Sequence, residues 1–197
     1  TPTRASGVSS SQLIAERNKI EPAARMAAAE TVAADILHRL PPSGGYLAGY
    51  WATAGERPLH ILQLRLPSEW VWCLPVVRPE RQLLFAPWRS GDPLASNRYG
   101  IPEPEIELGS CLSPEAMTVV LLPLLAFTRQ GQRLGMGGGY YDSSFAFRKQ
   151  RPAPPRLIGI GYTCQEIAGL DNQSWDVPLD AVATECGWID CRQQGSL

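Results

Sequence analysis

Between Leu122 and Asp142 the chain gathers residue types that handle phosphate. The stretch Leu122-Pro123-Leu124-Leu125-Ala126-Phe127-Thr128-Arg129-Gln130-Gly131-Gln132-Arg133-Leu134-Gly135-Met136-Gly137-Gly138-Gly139-Tyr140-Tyr141-Asp142 opens as a strand, turns, and ends in four glycines within five positions. Glycines remove Cβ atoms, permit positive φ, and let consecutive main-chain N–H groups turn toward an anion at the entry to a helix. Arg133 adds a planar, permanent cation, and Tyr140 to Phe147 reads as the helix that follows. A Walker A loop is excluded because no Gly-Lys-Ser/Thr triplet occurs, and a dinucleotide fingerprint because Tyr140 stands where a glycine is required. The residues alone leave a second reading open, a glycine turn that serves tight packing. The arginine before the glycines and the Tyr-Tyr-Asp after them favour a ligand loop. Asp142 is likewise open between ligand chemistry and a helix cap.

Other chemistries have few members to draw on. The five cysteines, Cys73, Cys111, Cys164, Cys186 and Cys191, are an odd count without a C-x-x-C pair, so neither a disulfide framework nor a thiolate zinc site is signalled. With only His38 and His60, a histidine-rich metal site or a Ser/His triad lacks candidates. Carboxylates holding a hard cation are the better metal option. The 197 residues carry 18 basic and 19 acidic side chains, a formal charge of −1. Such balance argues against nucleic acid and anionic membrane surfaces as partners, while small phosphorylated ligands need only local charge. At 44% hydrophobic residues the chain can build a core without disulfide or metal staples. No apolar run approaches the roughly 20 residues of a membrane span, and Thr1 to Ser11 is polar. A cytoplasmic protein is expected.

The elements that must carry the loop are legible from periodicity. Met26, Ala29, Ala33, Ile36, Leu37 and Leu40 recur at helical spacing after Pro22, predicting a helix from Pro22 to Leu40, stopped by Pro41-Pro42-Ser43-Gly44-Gly45. A shorter helix is expected around Gln12 to Asn18. Apolar runs at Tyr46 to Trp51, Trp70 to Val77, Leu83 to Ala86, Thr118 to Leu122, Leu157 to Gly161 and Val182 to Thr184 are strand-sized, and several are apolar on both faces. That pattern predicts an α/β layer architecture, a sheet covered by helices. Leu59 to Leu66 fits helix and strand equally badly and is assigned to helix; Pro87 to Pro104 and Lys149 to Arg156 read as loops.

At its glycine-rich segment the chain resembles the 5-formyltetrahydrofolate cyclo-ligases, or methenyltetrahydrofolate synthetases. That family's hallmark is a strand ending in Pro, then Ala-Phe, a Gly, and Arg-Leu-Gly-x-Gly-x-Gly-Tyr-Tyr-Asp, met here by Pro123, Ala126-Phe127, Gly131 and Arg133 through Asp142. The resemblance continues in Gly55-Glu56, Leu74-Pro75-Val76, Tyr99-Gly100-Ile101-Pro102-Glu103-Pro104, and Trp175-Asp176-Val177-Pro178-Leu179-Asp180 before Thr184-Glu185. It implies one cyclo-ligase-like domain over residues 1–197, with 1–21 divergent. The implied fold is a three-layer α/β domain with a mixed, mostly parallel sheet flanked by helices, of the NagB/RpiA/CoA-transferase-like kind.

The implied activity is an ATP- and Mg²⁺-dependent closure of 5-formyltetrahydrofolate to 5,10-methenyltetrahydrofolate, with release of ADP and phosphate. By the same resemblance, Arg17, Arg133, Leu134, Gly135, Met136, Gly137, Gly138, Gly139, Tyr140 and Tyr141 bind ATP, and Arg133 and Tyr140 are catalytic. Glu56, Tyr99 and Met136 to Tyr140 face the reduced folate, Asp142 and Asp180 hold Mg²⁺, and a monomer is expected. The chain departs from the family at two places. Basic residues usual in the first helix are replaced near Ser10, Ser11 and Ile14, leaving Arg17, with Arg4, Lys19 or Arg25 as conceivable substitutes. Pro58 stands where a second acid is common. The alternative is therefore a folate- or nucleotide-binding homologue with little or no catalysis. A sugar-phosphate isomerase or acyl-CoA-handling enzyme is a third reading, resting on fold analogy alone.

Overall fold

The computed structural model describes residues 7–191. Its helices are α1 (Ser10–Asn18), α2 (Pro22–Arg39), α3 (His60–Arg65) and α4 (Tyr140–Ser144). The strands are β1 (Gly45–Ala48), β2 (Trp70–Arg78), β3 (Gln82–Pro87), β4 (Leu94–Ser96), β5 (Pro102–Pro104), β6 (Val119–Pro123), β7 (Ala126–Phe127), β8 (Arg133–Leu134), β9 (Arg156–Ile160), β10 (Ala181–Thr184) and β11 (Gly187–Asp190). Seven of them form one sheet in the order β11-β10-β9-β6-β1-β2-β3. The inner five run parallel, and β3 and β11 fold back antiparallel at the two edges. The α/β architecture and the mixed, mostly parallel sheet expected from the sequence are both present.

Each inner strand feeds two cores, which is why it reads as a continuous apolar run. In β6, Val119 and Leu121 join the core with Ala29, Val32, Ala33 and Ile36 of α2 and Ile61 and Leu62 of α3. Val120 and Leu122 face the other way, toward Phe85, Phe145, Val177 and Leu179. Helix α2 takes Pro22 in its first turn and buries Ala28, Ala29, Val32, Ala33 and Ile36. Met26, expected on that stripe, is 56% exposed, because the packing of α2 begins only at Ala28. Segment 59–66 does contain a helix, α3.

The second face is covered by α4, a 3-10 turn at Ala146–Lys149 and the chain through Val177 and Leu179. The helix expected from Tyr140 to Phe147 stops at Ser144. Phe145 leaves helical geometry at φ −109°, ψ 17° and is fully buried. Its ring lies 5.9 Å from that of Phe85 and 6.3 Å from that of Tyr141. Burying an aromatic ring stabilises by roughly 1.5–3 kcal/mol, more than one further helical residue contributes. The segment 87–104, expected as loop, holds the short hairpin β4–β5. Strands of two or three residues, there and in β7–β8, are too short to register as periodicity. Helix α1 opens on a capping box between Ser9 and Gln12 and sets Leu13 against Leu125, Ala126, Leu134 and Leu170. Among the described residues no helix is long and apolar enough to cross a membrane.

Candidate active site

Parallel strands point their carboxyl ends one way, and open α/β sheets bind ligands at that edge. Here the edge collects the chain after β1 (Tyr50 to Arg57), after β6 (Leu124 to Asp142), after β9 (Tyr162 to Gln165) and after β10 (Glu185). The tip of the β2–β3 hairpin, residues 79–81, arrives at the same edge.

The glycine loop leaves β8 and enters α4. Gly137 and Gly139 hold φ of 89° and 69°, left-handed values that cost other residues about 1–2 kcal/mol. At Gly135 the constraint is space, since a Cβ there would stand 2.7 Å from Arg133 Nη1. Among the described residues, the main-chain N–H groups of residues 136–139 donate no hydrogen bond. They remain available to an acceptor that is not part of the protein fold. Helix α4 has five residues, too short for a substantial macrodipole, so anion binding here rests on loop amides and side chains.

Arg133 runs beside the loop with its side chain 8% exposed. Its guanidinium lies over the Tyr141 ring at 5.6 Å and 3.5 Å from Asp142 Oδ1, while its Nε is buried without a partner. Asp142 does not cap α4. Its Oδ1 instead accepts the Val177 N–H at 3.0 Å. Arg133 and Asp142 line a cavity of about 340 Å³ together with Asn172, Asp176 and Pro178. A more apolar cavity, about 290 Å³ between Ile36, Val119, Arg156 and Trp188, adjoins the amino ends of β6 and β9 and contains none of the candidate residues.

The two carboxylates expected to hold Mg²⁺ stand in different surroundings. Asp142 is 22% exposed and faces the cavity. Asp180 is 6% exposed and paired with the equally buried Arg148. Arg148 Nη2 donates to both Asp180 oxygens at 3.0 Å, and the Leu157 N–H to Oδ2 at 2.8 Å. Among the described residues no group of three or more His, Cys, Asp or Glu side chains is arranged around a metal position. Mg²⁺ keeps several waters and commonly takes one or two carboxylates plus substrate phosphates. Asp142 fits that role. Asp180 does not, because its oxygens are engaged by Arg148 and Leu157 in the interior.

Arg17, expected to reach phosphate, is 1% exposed. It donates to the Leu124 carbonyl at 3.3 Å and to the Ala54 carbonyl, and burial lowers its pKa. It ties α1 to the loops after β1 and β6. Arg25 donates to the carbonyls of Ile20, Gly55 and Arg17, Lys19 pairs with Glu16, and Arg4 lies outside the described residues. Glu56 accepts from the Thr53 N–H at 2.9 Å. Burial raises its pKa, partly offset by Thr53 and Arg17. Its charge in turn raises the pKa values of Tyr50 and Tyr141, behind the larger effect of burial on both.

The same edge holds three arginines that sequence reasoning passed over, Arg57, Arg81 and Arg98, and brings together the expected Tyr99 and Tyr140. Arg57, 1% exposed, stacks on Tyr162 at 3.9 Å and donates to the Gly161 carbonyl at 2.7 Å and to Glu185 at 2.9 Å. Tyr99 and Tyr140 meet edge to face at 6.0 Å, their hydroxyls 2.8 Å apart. Arg98 donates to both hydroxyls. Arg81 approaches from the other hairpin, its Nη1 3.5 Å from where a Cβ on Gly139 would stand. No local spacing signals Arg81 or Arg98, since strand pairing alone brings them to the loop.

Sheet order, glycine loop and a carboxyl-edge cleft define an α/β protein of the kind whose small-molecule ligands bind outside the strand ends. Within that class the chain belongs to the 5-formyltetrahydrofolate cyclo-ligase family, whose model matches residues 4–185. The 5-formyltetrahydrofolate cyclo-ligase of Haemophilus influenzae is 36% identical over 108 residues, 54% of this chain and 57% of that protein. That of Escherichia coli K12 is 37% identical over 113 residues, 56% of this chain and 61% of its own length. The matched part thus spans roughly three fifths of these relatives. The 5,10-methenyltetrahydrofolate synthetase of Aquifex aeolicus superposes with a TM-score of 0.75 at 28% identity, covering 95% of this chain and 93% of that one. The Mycoplasma pneumoniae synthetase, 20% identical, shares the fold with a TM-score of 0.68 over 89% of this chain and 96% of that one.

Proposed function

We propose that this chain closes 5-formyltetrahydrofolate to 5,10-methenyltetrahydrofolate at the expense of ATP. The observation that carries the reading is the row of uncommitted loop amides at residues 136–139 beside a buried Arg133 with an unpartnered Nε. A formamide oxygen is a poor leaving group. In the proposed reaction it attacks the γ-phosphorus, ADP departs, and N10 attacks the activated carbon. The former formyl oxygen leaves in phosphate, which also takes the N10 proton. Such a reaction asks the protein for positioning and for charge stabilisation on phosphate oxygens. Loop amides and Arg133 serve that purpose. Tyr99 and Tyr140 offer ring faces and hydroxyls to a pterin, and Glu56 joins them in facing the folate. Mg²⁺, where bound, neutralises triphosphate charge, and Asp142 is the residue here that would hold it.

The test is the methenyl chromophore in the presence of 5-formyltetrahydrofolate, ATP and Mg²⁺. Signal that requires ATP supports the ligase, and signal without ATP refutes it. One observation favours the alternative of a binding protein with little turnover, namely the burial of Arg17 against the main-chain carbonyls of Leu124 and Ala54. Ligand binding without ATP-dependent signal would establish that alternative.

A further inference from the structure

We infer that Arg81 and Arg98, carried on two separate hairpin tips, form a guanidinium clamp for the phosphates of ATP over the glycine loop. The inference rests on the ATP-dependent reading above and deepens it.

Neither arginine forms an ion pair among the described residues, and both are exposed. Their placement is built rather than incidental. The β2–β3 tip is fastened to α4, with Gln82 Nε2 donating to Ser143 Oγ at 2.7 Å and the Leu83 N–H to Ser144 Oγ at 2.8 Å. Arg81 therefore holds a defined position against Gly139. Glu80 and Arg81 both have positive φ, 60° and 58°, an arrangement that non-glycine residues adopt at a cost. The second tip is braced through Asn97. Its Oδ1 accepts the N–H groups of Tyr99 and Ile101, and its Nδ2 donates to Glu103 Oε2. That carboxylate also accepts the Val77 N–H at 2.7 Å, so the tip is pinned to β2. Arg98 then reaches the Tyr140 hydroxyl across the loop. The Tyr140 phenol is pulled below its ordinary pKa by its hydrogen bond with Tyr99, then by Arg98 and Arg81.

Two guanidiniums without an ion pair among the described residues thus converge on a loop whose amides donate to no acceptor among those residues. An anion with several oxygens satisfies both, and Arg presents planar donors matched to phosphate. This placement also accounts for a phosphate site without Arg17, which is spent on carbonyls. Hairpin tips already held in place lose little backbone entropy on binding.

The experiment compares wild type with Arg81→Gln, Arg98→Gln and the double variant. Equilibrium titration with ATP in the absence of folate should show Kd raised about tenfold for each single variant, as expected for a lost charge-assisted hydrogen bond. The double variant should be weaker still. Affinity for adenosine should be unchanged in every variant, as should the melting temperature, since both side chains are exposed, and KM for 5-formyltetrahydrofolate should be unchanged in Arg81→Gln. Unchanged ATP affinity in the double variant overturns the clamp and leaves the ligase reading intact. A rise confined to the folate KM also overturns it, assigning the arginines to folate carboxylates. Wild type that binds ATP without turnover defeats the ligase reading, and the clamp then stands or falls on the Kd values. Wild type that binds no ATP defeats both.

Discussion

Replacing Asp180 separates a metal carboxylate from a structural one. Asp180 and Arg148 have side chains 6% and 5% exposed, and among the described residues Arg148 donates two hydrogen bonds to the carboxylate and the Leu157 N–H one. Asp180→Ala strands a guanidinium in the interior and leaves the Leu157 N–H of β9 without its acceptor. Removing one partner of a buried pair costs about 3–5 kcal/mol. For a chain of this size each kcal/mol lowers the melting temperature by about 2–4 °C, so the expected fall is about 6–20 °C. Replacing both partners by apolar residues, as in Arg148→Met with Asp180→Leu, should recover most of that loss because no charge is then left unpaired. The assay is thermal unfolding, combined with Mg²⁺ titration of methenyl formation well below the melting temperature. The milder Asp180→Asn should leave the Mg²⁺ requirement unchanged. A variant that melts like wild type and needs several times more Mg²⁺ would refute this reasoning and return Asp180 to the metal.

Asp142→Asn keeps an oxygen for the Val177 N–H and removes the charge, so stability should fall by less than about 1 kcal/mol. The Mg²⁺ concentration for half-maximal turnover should rise about tenfold or more; an unchanged titration would remove the proposed metal role. Glu56 has its pKa raised by burial, so its ionised form opposes folding, and stability on its account is full at low pH and lost as pH rises through the folded value. Glu56→Gln should accordingly raise the melting temperature at pH 7–8, with the gain vanishing below about pH 4, and equal gains at both pH values would contradict the burial argument. Gly139→Ala places a methyl group on a left-handed residue and should cost about 1–2 kcal/mol while weakening ATP binding; chemical denaturation and nucleotide titration measure the two. Cys73 and Cys191 have thiols pushed up to about 12 and about 11 by burial, so alkylation at pH 8 should spare both and modify the exposed Cys186, as peptide mapping will show.

What could be read from the chain depended on how far apart the interacting groups lie in it. The glycine loop was legible because its amides, Arg133 and Asp142 are neighbours in sequence, and the inner strands because burial on both faces writes continuous apolar runs. Arg17 shows the opposite case. Composition registers a cation near the amino end, but its acceptor at Leu124 is 107 positions away, and only folding reveals that the charge is spent inside. Asp180 likewise meets Arg148, 32 residues distant, only on folding. Arg81 and Arg98 carry no local mark at all, since their meeting with Tyr140 depends on which strands pair. Helix α4 fell short of its expected length because the burial of Phe145 outweighed helical continuation.

The anchoring of α1 fixes where the two ends of the described chain emerge. Leu13 and Arg17 hold the leading helix against the loops that follow β1 and β6, whereas β11 runs antiparallel to β10 and finishes opposite Ala181, where β10 begins. A fluorophore placed on α1 would stand on the side of the loops after β1 and β6, while one placed at the end of β11 would stand at the opposite edge of the sheet, the safer place to label the protein for binding measurements.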